Sequence, residues 1–545
     1  MASIGFKQFK GSTPRVADHL VQQPYASVAM DCKFWHGDLS SWYEPRKTDD
    51  LPQEAGYKYV MMGCCFVKLP LCATVAEGDP NCKKYYVTGR NEYPEEAHVD
   101  FNTCEITWYR LGLPCPYQAP QTFAEEDDDA LNKDAESRTY VYQFVNSRGQ
   151  KSAASPPSQP LLLMNEGHPV TVSGWEIPDT SWDVKTVRIY RSVAGMESGK
   201  EAGNAFDTTY MFIGEVPIDA GSFVDTKYAY DLFDALEEDI VMPPSADMQG
   251  ITAVASMNIY AGFAGNKLYF SKNNEPNNWS IDYTLDDNIC GIAESGGLLY
   301  VITDGHPYVV SAAADCKTAD CRKITRHLAP MPMLGCGGRH IATTPNGVFY
   351  PTIDGLAWLV GDSPPSIITA AAYAPDDWQR LLPETAVPVF HKGYLFVFAK
   401  GGSFVLQIGS KNSSGWDADY HSSLSDRDVY YAFVSRNGNF YIEKPDGIYL
   451  WNAGTVKRPH RWVSAETVTG VPMNFGAVKL YMSGAAERVK IKSDDRYIFD
   501  REVVRANQPM ALPLWGTGQR FYFELEGTAD VKLLAVATSV KELPA

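Results

Sequence analysis

Gly297-Leu-Leu-Tyr-Val-Ile-Thr-Asp-Gly305, running on to Tyr308-Val-Val310, is the stretch that decides the fold. Its apolar, β-branched and aromatic residues suit a pleated, half-buried strand. The Asp-Gly pair permits the positive φ angles of a tight hairpin turn, and the second apolar run returns antiparallel. The theme recurs three times. Gly347-Val-Phe-Tyr-Pro-Thr-Ile-Asp-Gly355 leads to Trp358-Leu-Val360, and Gly393-Tyr-Leu-Phe-Val-Phe-Ala-Lys-Gly-Gly402 leads to Phe404-Val-Leu406. Gly438-Asn-Phe-Tyr-Ile-Glu-Lys-Pro-Asp-Gly447 leads to Tyr449-Leu-Trp451, and a weaker copy, Asn266-Lys-Leu-Tyr-Phe-Ser271, comes earlier. A hairpin repeated every 45–50 residues or so (roughly one four-stranded blade) predicts a β-propeller over residues 248–463.

Outward from the repeats, Tyr57-Lys-Tyr-Val-Met-Met62 and Lys84-Tyr-Tyr-Val-Thr-Gly89 read as further blade strands within residues 57–120. An acidic run, Glu125-Glu-Asp-Asp-Asp129, reads as a solvated linker over 121–137. Alternating strands punctuated by Pro and Gly then predict an inserted β-sandwich over 138–230: Thr139–Gly149, Thr186–Arg191 and Tyr210–Val216. A linker over 231–247 follows, with a helical turn expected at Asp231–Asp239. After Trp462 the repeat stops, and residues 464–545 are expected to form a C-terminal β domain. In it Arg520–Glu526 and Val531–Ala537 are neighbouring strands joined by a turn. Residues 1–56, rich in Pro, Gly and aromatics without regular pattern, read as an extended docking arm ordered by neighbours. The fold class is therefore all-β: a β-propeller core with an inserted immunoglobulin- or fibronectin-like β-sandwich and a C-terminal β unit.

Composition agrees. The 545 residues exceed what one hydrophobic core can serve, and 31 Tyr, 24 Phe and 12 Trp with 43 Gly and 35 Pro favour strands and turns over helices. The net charge of −18 argues against tight, unselective gripping of nucleic acid, since phosphate binding draws on Lys and Arg. Met1–Ser12 has no apolar core, and Ile251–Gly265 is broken by Ser256 and Asn258, so neither a leader nor membrane insertion is expected. Seven of 11 cysteines fall between Cys32 and Cys115 without zinc-site spacing; buried free thiols are the default, with Cys72–Cys82 or Cys316–Cys321 as alternative loop disulfides.

The chain carries no Walker loop, His-Glu-x-x-His helix, nucleophile elbow or dinucleotide fingerprint. Gly335-Cys-Gly-Gly338 lacks a following helix and reads as a connection between blades. The carboxylate pairs Asp286–Asp287, Asp376–Asp377 and Asp494–Asp495 read as solvated turn residues, with Asp376-Asp377-Trp378 as a helix N-terminus. His36, His168, His306, His340 and His391 read as lone surface or hairpin residues. No catalytic, cofactor-binding or metal residues are expected, and no enzyme. Lys457-Arg-Pro-His-Arg-Trp462 reads as an exposed basic-aromatic cluster able to touch nucleic acid or a partner protein.

Phe9-Lys-Gly-Ser-Thr-Pro-Arg15, Ala26-Ser-Val-Ala-Met-Asp-Cys32, His36-Gly-Asp-Leu-Ser40 and Pro45-Arg46 resemble the opening of tail tube or nozzle proteins of short-tailed bacteriophages. Tyr85-Tyr-Val-Thr-Gly89, Tyr109–Pro114, Tyr140–Pro157, Arg188–Arg191, Asp304–Tyr308 and Ala535–Leu543 resemble later landmarks of the same proteins. Asp31 stands where an Asn is usual. The resemblance implies a propeller carrying an inserted immunoglobulin-like domain, in a structural virion subunit that forms a homo-oligomeric ring, commonly a hexamer. Its implied partners are portal and adaptor proteins, tail fibres or other tail proteins, and double-stranded DNA in transit during ejection without tight binding. The implied location is the virion, after synthesis in the host cytoplasm. A lumen lined by acidic and neutral side chains is expected. A carbohydrate-binding or carbohydrate-cleaving propeller, such as a receptor-binding protein, is the alternative.

Overall fold

The computed structural model describes residues 3–34, 36–78, 83–125, 136–163, 167–193, 209–237, 241–312, 319–324, 334, 340–408, 418–484, 486–494, 496–503, 505–513 and 515–544. The chain forms two compact units, Met1–Cys72 with Asp287–Ala545, and Ala73–Asp286.

In the Ala73–Asp286 unit, two four-stranded antiparallel meanders form blades. One runs through Thr74–Glu77, Lys84–Thr88, Glu95–Val99 and Ile106–Arg110; the other through Gln249–Val254, Ile259–Ala264, Lys267–Phe270 and Ile281–Thr284. Their first strands lie side by side. Ala76, Tyr86, Leu111, Met248, Ile251 and Trp279 are buried between the sheets, and the Ile251 amide donates to Thr88 Oγ1 at 3.2 Å.

The sandwich is spliced into the chain between these two blades. One sheet orders Gln121–Ala124, Val170–Ser173 and Ser222–Asp225; the other orders Tyr140–Asn146, Val184–Val193 and Thr209–Pro217. Tyr140, Tyr142, Phe144, Val170, Val172, Val187 and Ile189 fill the space between them. Alternation explains this: inward positions are apolar or aromatic, outward ones mostly polar. The Tyr140–Asn146 edge is closed by Ser152, Ser155 and Ser158, spaced by three residues. Each serine amide donates to a strand carbonyl (Phe144, Tyr142 and Tyr140, at 2.8–3.0 Å). Each serine Oγ accepts from the amide of the same strand residue, again at 2.9–3.0 Å. An extended segment thus satisfies an edge without adding a strand.

The other unit holds four more blades. Three are formed by Ile289–Ser295, Leu298–Thr303, Tyr308–Ala312 and Ala319–Lys323; by Ala342–Thr344, Gly347–Pro351, Leu356–Leu359 and Ser366–Ile367; and by Val387–His391, Tyr394–Phe398, Ser403–Ile408 and Ala418–Leu424. The fourth takes Tyr431–Val434, Phe440–Lys444 and Gly447–Leu450 from one end of the chain and Arg46–Asp49 from the other. Successive first strands are again adjacent, the arrangement that makes the core a β-propeller. The quoted repeats supply the second and third strands of each of these blades.

Several boundaries differ from expectation. Residues 1–56 are woven into the chain's own sheets rather than held out as an arm. Ser3–Phe6 pairs with Asp530–Ala537, and Ala26–Met30 lies between Ala418–Leu424 and His460–Ser464. Buried Phe6, Phe9, Ala29, Phe34, Leu39 and Trp42, irregularly spaced, make the segment part of the core. The expected linker 121–137 begins and ends in sandwich strands, Gln121–Ala124 and Glu136–Arg138; Glu126–Asp129 lie outside the described residues. Tyr57–Met62 and Cys65–Pro70 form a separate hairpin packed on Tyr441 and Ile448. Residues 464–545 share sheets with the N-terminal strands. Gly518–Gly527 and Asp530–Ala537 belong to different sheets of this region, because Phe521, Phe523 and Leu525 face the same core as Val531, Leu534 and Val536. Among the described residues of the expected helical turn 231–239, only Asp231 is helical, as the end of the 3-10 turn Ala229–Asp231; Asp234 and Leu236 then run along the Thr209–Pro217 edge, and 238–239 lie outside the described residues. Cys32 is buried, whereas Cys64, Cys72 and Cys115 are exposed; Cys82, Cys316 and Cys336 lie outside the described residues.

The turn glycine of the shared blade, Gly447, sits at φ +152°, and a Cβ there would lie 2.3 Å from the Asp49 carbonyl oxygen. Gly447→Ala is therefore expected to destabilise the protein by about 2–4 kcal/mol through strain and displacement of the closing strand. Urea denaturation measures the loss, and hydrogen exchange should show it concentrated at residues 46–49. The same change at Gly438, with φ +75° but no atom within 4 Å, should cost less.

Candidate functional site

Of Lys457-Arg-Pro-His-Arg-Trp462, expected as an exposed cluster, Arg458, His460 and Trp462 are buried, whereas Lys457 and Arg461 keep part of their side chains in solvent and Pro459 is exposed. His460, Trp462 and Ser464 alternate into the core along the strand His460–Ser464, and Arg458 just before it is 4% exposed. Each base meets an acid of its own chain. Arg458 donates to the Asp426 carboxylate and lies 3.4 Å from Asp31; Lys444 also reaches Asp426, at 2.8 Å. His460 contacts Ser41 Oγ through Nδ1 and Glu487 through Nε2, both at 2.8 Å. Arg461 pairs with Glu524 and Lys457 with Asp530, each at 2.7 Å. The Trp462 indole donates to the Lys10 carbonyl at 3.1 Å, and Phe6 and Phe9 stand edge-on to it.

Six residues of sequence thus gather partners from the N-terminal segment and from the strands on either side of it. The electrostatics follow from burial. Desolvation would raise the Asp426 carboxyl, but the Arg458 and Lys444 charges outweigh it and hold the group below its usual range. A second buried contact ties the same N-terminal segment. His421 Nδ1 meets Ser12 Oγ at 2.9 Å and its Nε2 meets the Tyr373 hydroxyl at 2.6 Å; burial pulls the imidazole down to about 4. Gly11 crosses so closely that a Cβ would lie 2.2 Å from the His421 carbonyl oxygen. Sequence reasoning missed His421 and Asp426; neither neighbours a motif, and only tertiary contacts single them out.

A different cluster fixes the sandwich to its blade within Ala73–Asp286. The Arg110 guanidinium lies between Trp182, 3.4 Å from its ring centre, and Tyr93, at 4.4 Å. Arg148 stacks on Tyr109 at 4.3 Å and reaches Asp183 at 3.4 Å and Glu96 at 3.6 Å. Desolvation opposes ionisation of Glu96, yet the His98 hydrogen bond and the Arg148 charge hold it low. Flat guanidinium groups clamped by rings and carboxylates make a stiff joint.

The other singled-out residues are dispersed. His36 is exposed, His168 Nε2 lies 3.0 Å from the Glu125 carbonyl oxygen, and His306 is 3.9 Å from Asp287. His340 is buried against the Ala386 carbonyl at 2.8 Å, contrary to a surface position, and His391 is half-buried beside Phe440. Asp376 and Asp377 open the short helix Pro375–Arg380, where Asp377 pairs with Arg380 at 2.8 Å. Asp495 and Gly335–Gly338 lie outside the described residues. Among the described residues, these histidines and acids are not brought into one cluster.

No family model matches the chain, and no curated protein does. Among solved structures, BamB from Moraxella catarrhalis aligns at 10% identity over 74% of this chain and 97% of its own, with a TM-score of 0.24. The Neurospora crassa Pan2 WD40 domain aligns at 12% identity over 55% and 87%, with a TM-score of 0.25. A functionally unknown protein from Desulfotomaculum acetoxidans aligns at 10% identity over 71% and 98%, with a TM-score of 0.26. At such scores the fold assignment rests on this chain's own strand order.

Arg458→Met leaves Asp31 and Asp426 buried with less compensation and is expected to cost about 3–5 kcal/mol at pH 7. In the native protein the depressed Asp426 contributes stability above its unfolded value, near 4, and loses it as pH falls through the lower folded value. Without Arg458 the Asp426 carboxyl titrates higher, so the gap between the two proteins should narrow between pH 7 and pH 4.5. Urea midpoints at both pH values check the sign.

Proposed function

We propose that this chain is a ring-forming structural subunit of a short-tailed bacteriophage tail tube or nozzle, through which genomic DNA passes during ejection. The observation that carries the proposal is the splice. A complete sandwich interrupts the chain between two consecutive propeller blades, the arrangement that the N-terminal resemblance implies for that family. The segment bearing the resemblance, from Phe9 to Arg46, is anchored through Trp462, His421 and Arg458, so its unusual residues have structural work within the subunit. Asp31, which replaces the usual Asn, lies beside Arg458.

DNA in transit must slide without being held. Internal pairing of Lys457, Arg458 and Arg461 removes a cluster that would otherwise offer charge to phosphates, and the net charge of −18 disfavours gripping. Portal, adaptor and other tail proteins are the proposed neighbours, and the virion the proposed location.

Purified protein, alone or with the remaining tail proteins, should form closed rings in negative-stain images, with six copies expected. Gel shifts with double-stranded DNA at about 0.15 M salt should show affinity weaker than micromolar. A protein that never closes into rings, or one that binds DNA tighter than micromolar, would refute the reading.

A further inference from the structure

Glu443 is a buried acid that has no ion pair among the described residues. It lies in the Phe440–Lys444 strand of the two-ended blade, 1% exposed, on the strand face that also carries Tyr441. That face is covered by the hairpin of Tyr57–Met62 and Cys65–Pro70, which pairs with no third strand. Glu443 Oε2 accepts the Tyr59 amide at 3.0 Å, so a side chain serves the hairpin edge where a neighbouring strand otherwise would. Its other oxygen, Oε1, is shut off from solvent and has no hydrogen-bond partner among the described residues. One hydrogen bond is small compensation for a carboxylate taken out of water, whereas a neutral carboxyl costs far less to bury.

The surrounding charges do not make up the difference. Lys58, 2% exposed on the hairpin, is the cation that faces Glu443, but its Nζ lies over the Tyr431 ring, 4.8 Å from the centre, rather than pairing with the carboxylate. On the neighbouring elements Lys68 pairs with Glu54, Lys47 with Asp50 and Asp446, and Lys444 with Asp426. The Tyr449 hydroxyl donates to Asp446 and the Tyr59 hydroxyl to the Pro52 carbonyl, while Asp49 on the closing strand adds a further acid near Tyr59. His391 stands against Phe440, whose side chain alternates to the opposite face of the strand. Desolvation therefore outweighs the Tyr59 amide and the Lys58 charge, and pushes the Glu443 carboxyl up to about 7.

We propose that the Tyr57–Pro70 hairpin is a pH-responsive flap on this blade, held tightly while Glu443 is protonated and loosened when it ionises. A two-stranded hairpin is marginal by itself, so it depends on what it packs against. Here Tyr59 and Phe66 lie on Tyr441 and Ile448, with Phe66 edge-on to Tyr441 at 5.5 Å. On release the carboxyl regains water and its ordinary value, about 4.3. The docked hairpin thus binds the proton more tightly than the released one, and acid favours docking. Docking is firmest below the released value, weakens as pH rises to about 7, and changes little above that. Release would uncover the apolar strip of Tyr441 and Ile448, both buried under the docked flap.

Hydrogen exchange of the full chain at pH 5 and pH 7.5, corrected for the intrinsic pH dependence of exchange, tests the flap. In the native chain the amides of residues 57–69 should lose protection about tenfold or more at the higher pH, relative to the Tyr394–Phe398 strand as control. Glu443→Gln keeps an acceptor for the Tyr59 amide but cannot ionise, so its hairpin should be protected alike at both values. Lys58→Met removes the cation that favours the ionised carboxyl, and should loosen the hairpin more at pH 7.5 than at pH 5. A purely structural role for either side chain would leave no such pH dependence. Hairpin protection that is the same at both pH values in the native chain, or that falls as much in the glutamine variant as in the native chain, would overturn the flap. So would a Lys58→Met loss of equal size at both pH values.

Discussion

A buried guanidinium cannot be left alone in a protein interior. Arg458, with Lys444 beside it, requires acids within reach, and the chain supplies Asp426 from the strand region before it and Asp31 from the far N-terminus. Breaking such a set leaves an uncompensated charge, so the arrangement is specific even where its net contribution to stability is small. The same short stretch also calls on Ser41 and Lys10, and the neighbouring blade is completed by Arg46–Asp49. The N-terminal residues are thereby committed to one register before any partner is involved. A propeller blade assembled from both ends of a chain makes long-range contacts that are slow to form but hard to lose piecemeal, since no single hairpin can leave without opening the others.

Stiffness appears in the other unit by a different route. Arg110 clamped by Trp182 and Tyr93, and Arg148 held by Tyr109, Asp183 and Glu96, join the sandwich to the blade whose last strand is Ile106–Arg110. A flexible linker would let an inserted domain swing. A joint of planar cations between rings fixes its direction relative to that blade.

The blades were legible in the sequence because their hairpins repeat: alternation, a turn with Gly, and a returning aromatic recur at one period. The third strands begin at the turn glycine or within three residues of it; Gly355, Gly402 and Gly447 take positive φ angles, whereas Gly305 does not. The sandwich was legible through Tyr140–Asn146 and Val184–Val193, but its first strand, Gln121–Ala124, is only four residues long and adjoins an acidic run that dominates local composition. The N-terminal weave was not legible, because Phe6, Phe9, Phe34, Leu39 and Trp42 follow no period and are buried one at a time. Lys457–Trp462 misled for a related reason. Charge and aromaticity are visible in one dimension, whereas the acids that neutralise the bases lie at positions 31, 426, 487, 524 and 530.

That neutralisation bears on how an acidic subunit could serve a DNA channel. A base paired to an acid of its own chain at 2.7–2.8 Å has little attraction left for a phosphate, since the pair presents a dipole rather than a charge. Screening then works in the same direction: beyond about 8 Å at physiological salt the remaining field is weak, so only side chains at the wall would act on a passing duplex. Under the tail reading, a wall of acids and internally paired bases would keep DNA away from the surface while adding no sequence-dependent hold. Fast passage would follow from the absence of binding wells, and directionality would have to come from elsewhere in the particle. On that reading, pairing each base of the 457–462 stretch with an acid of the same chain would leave the wall without binding wells.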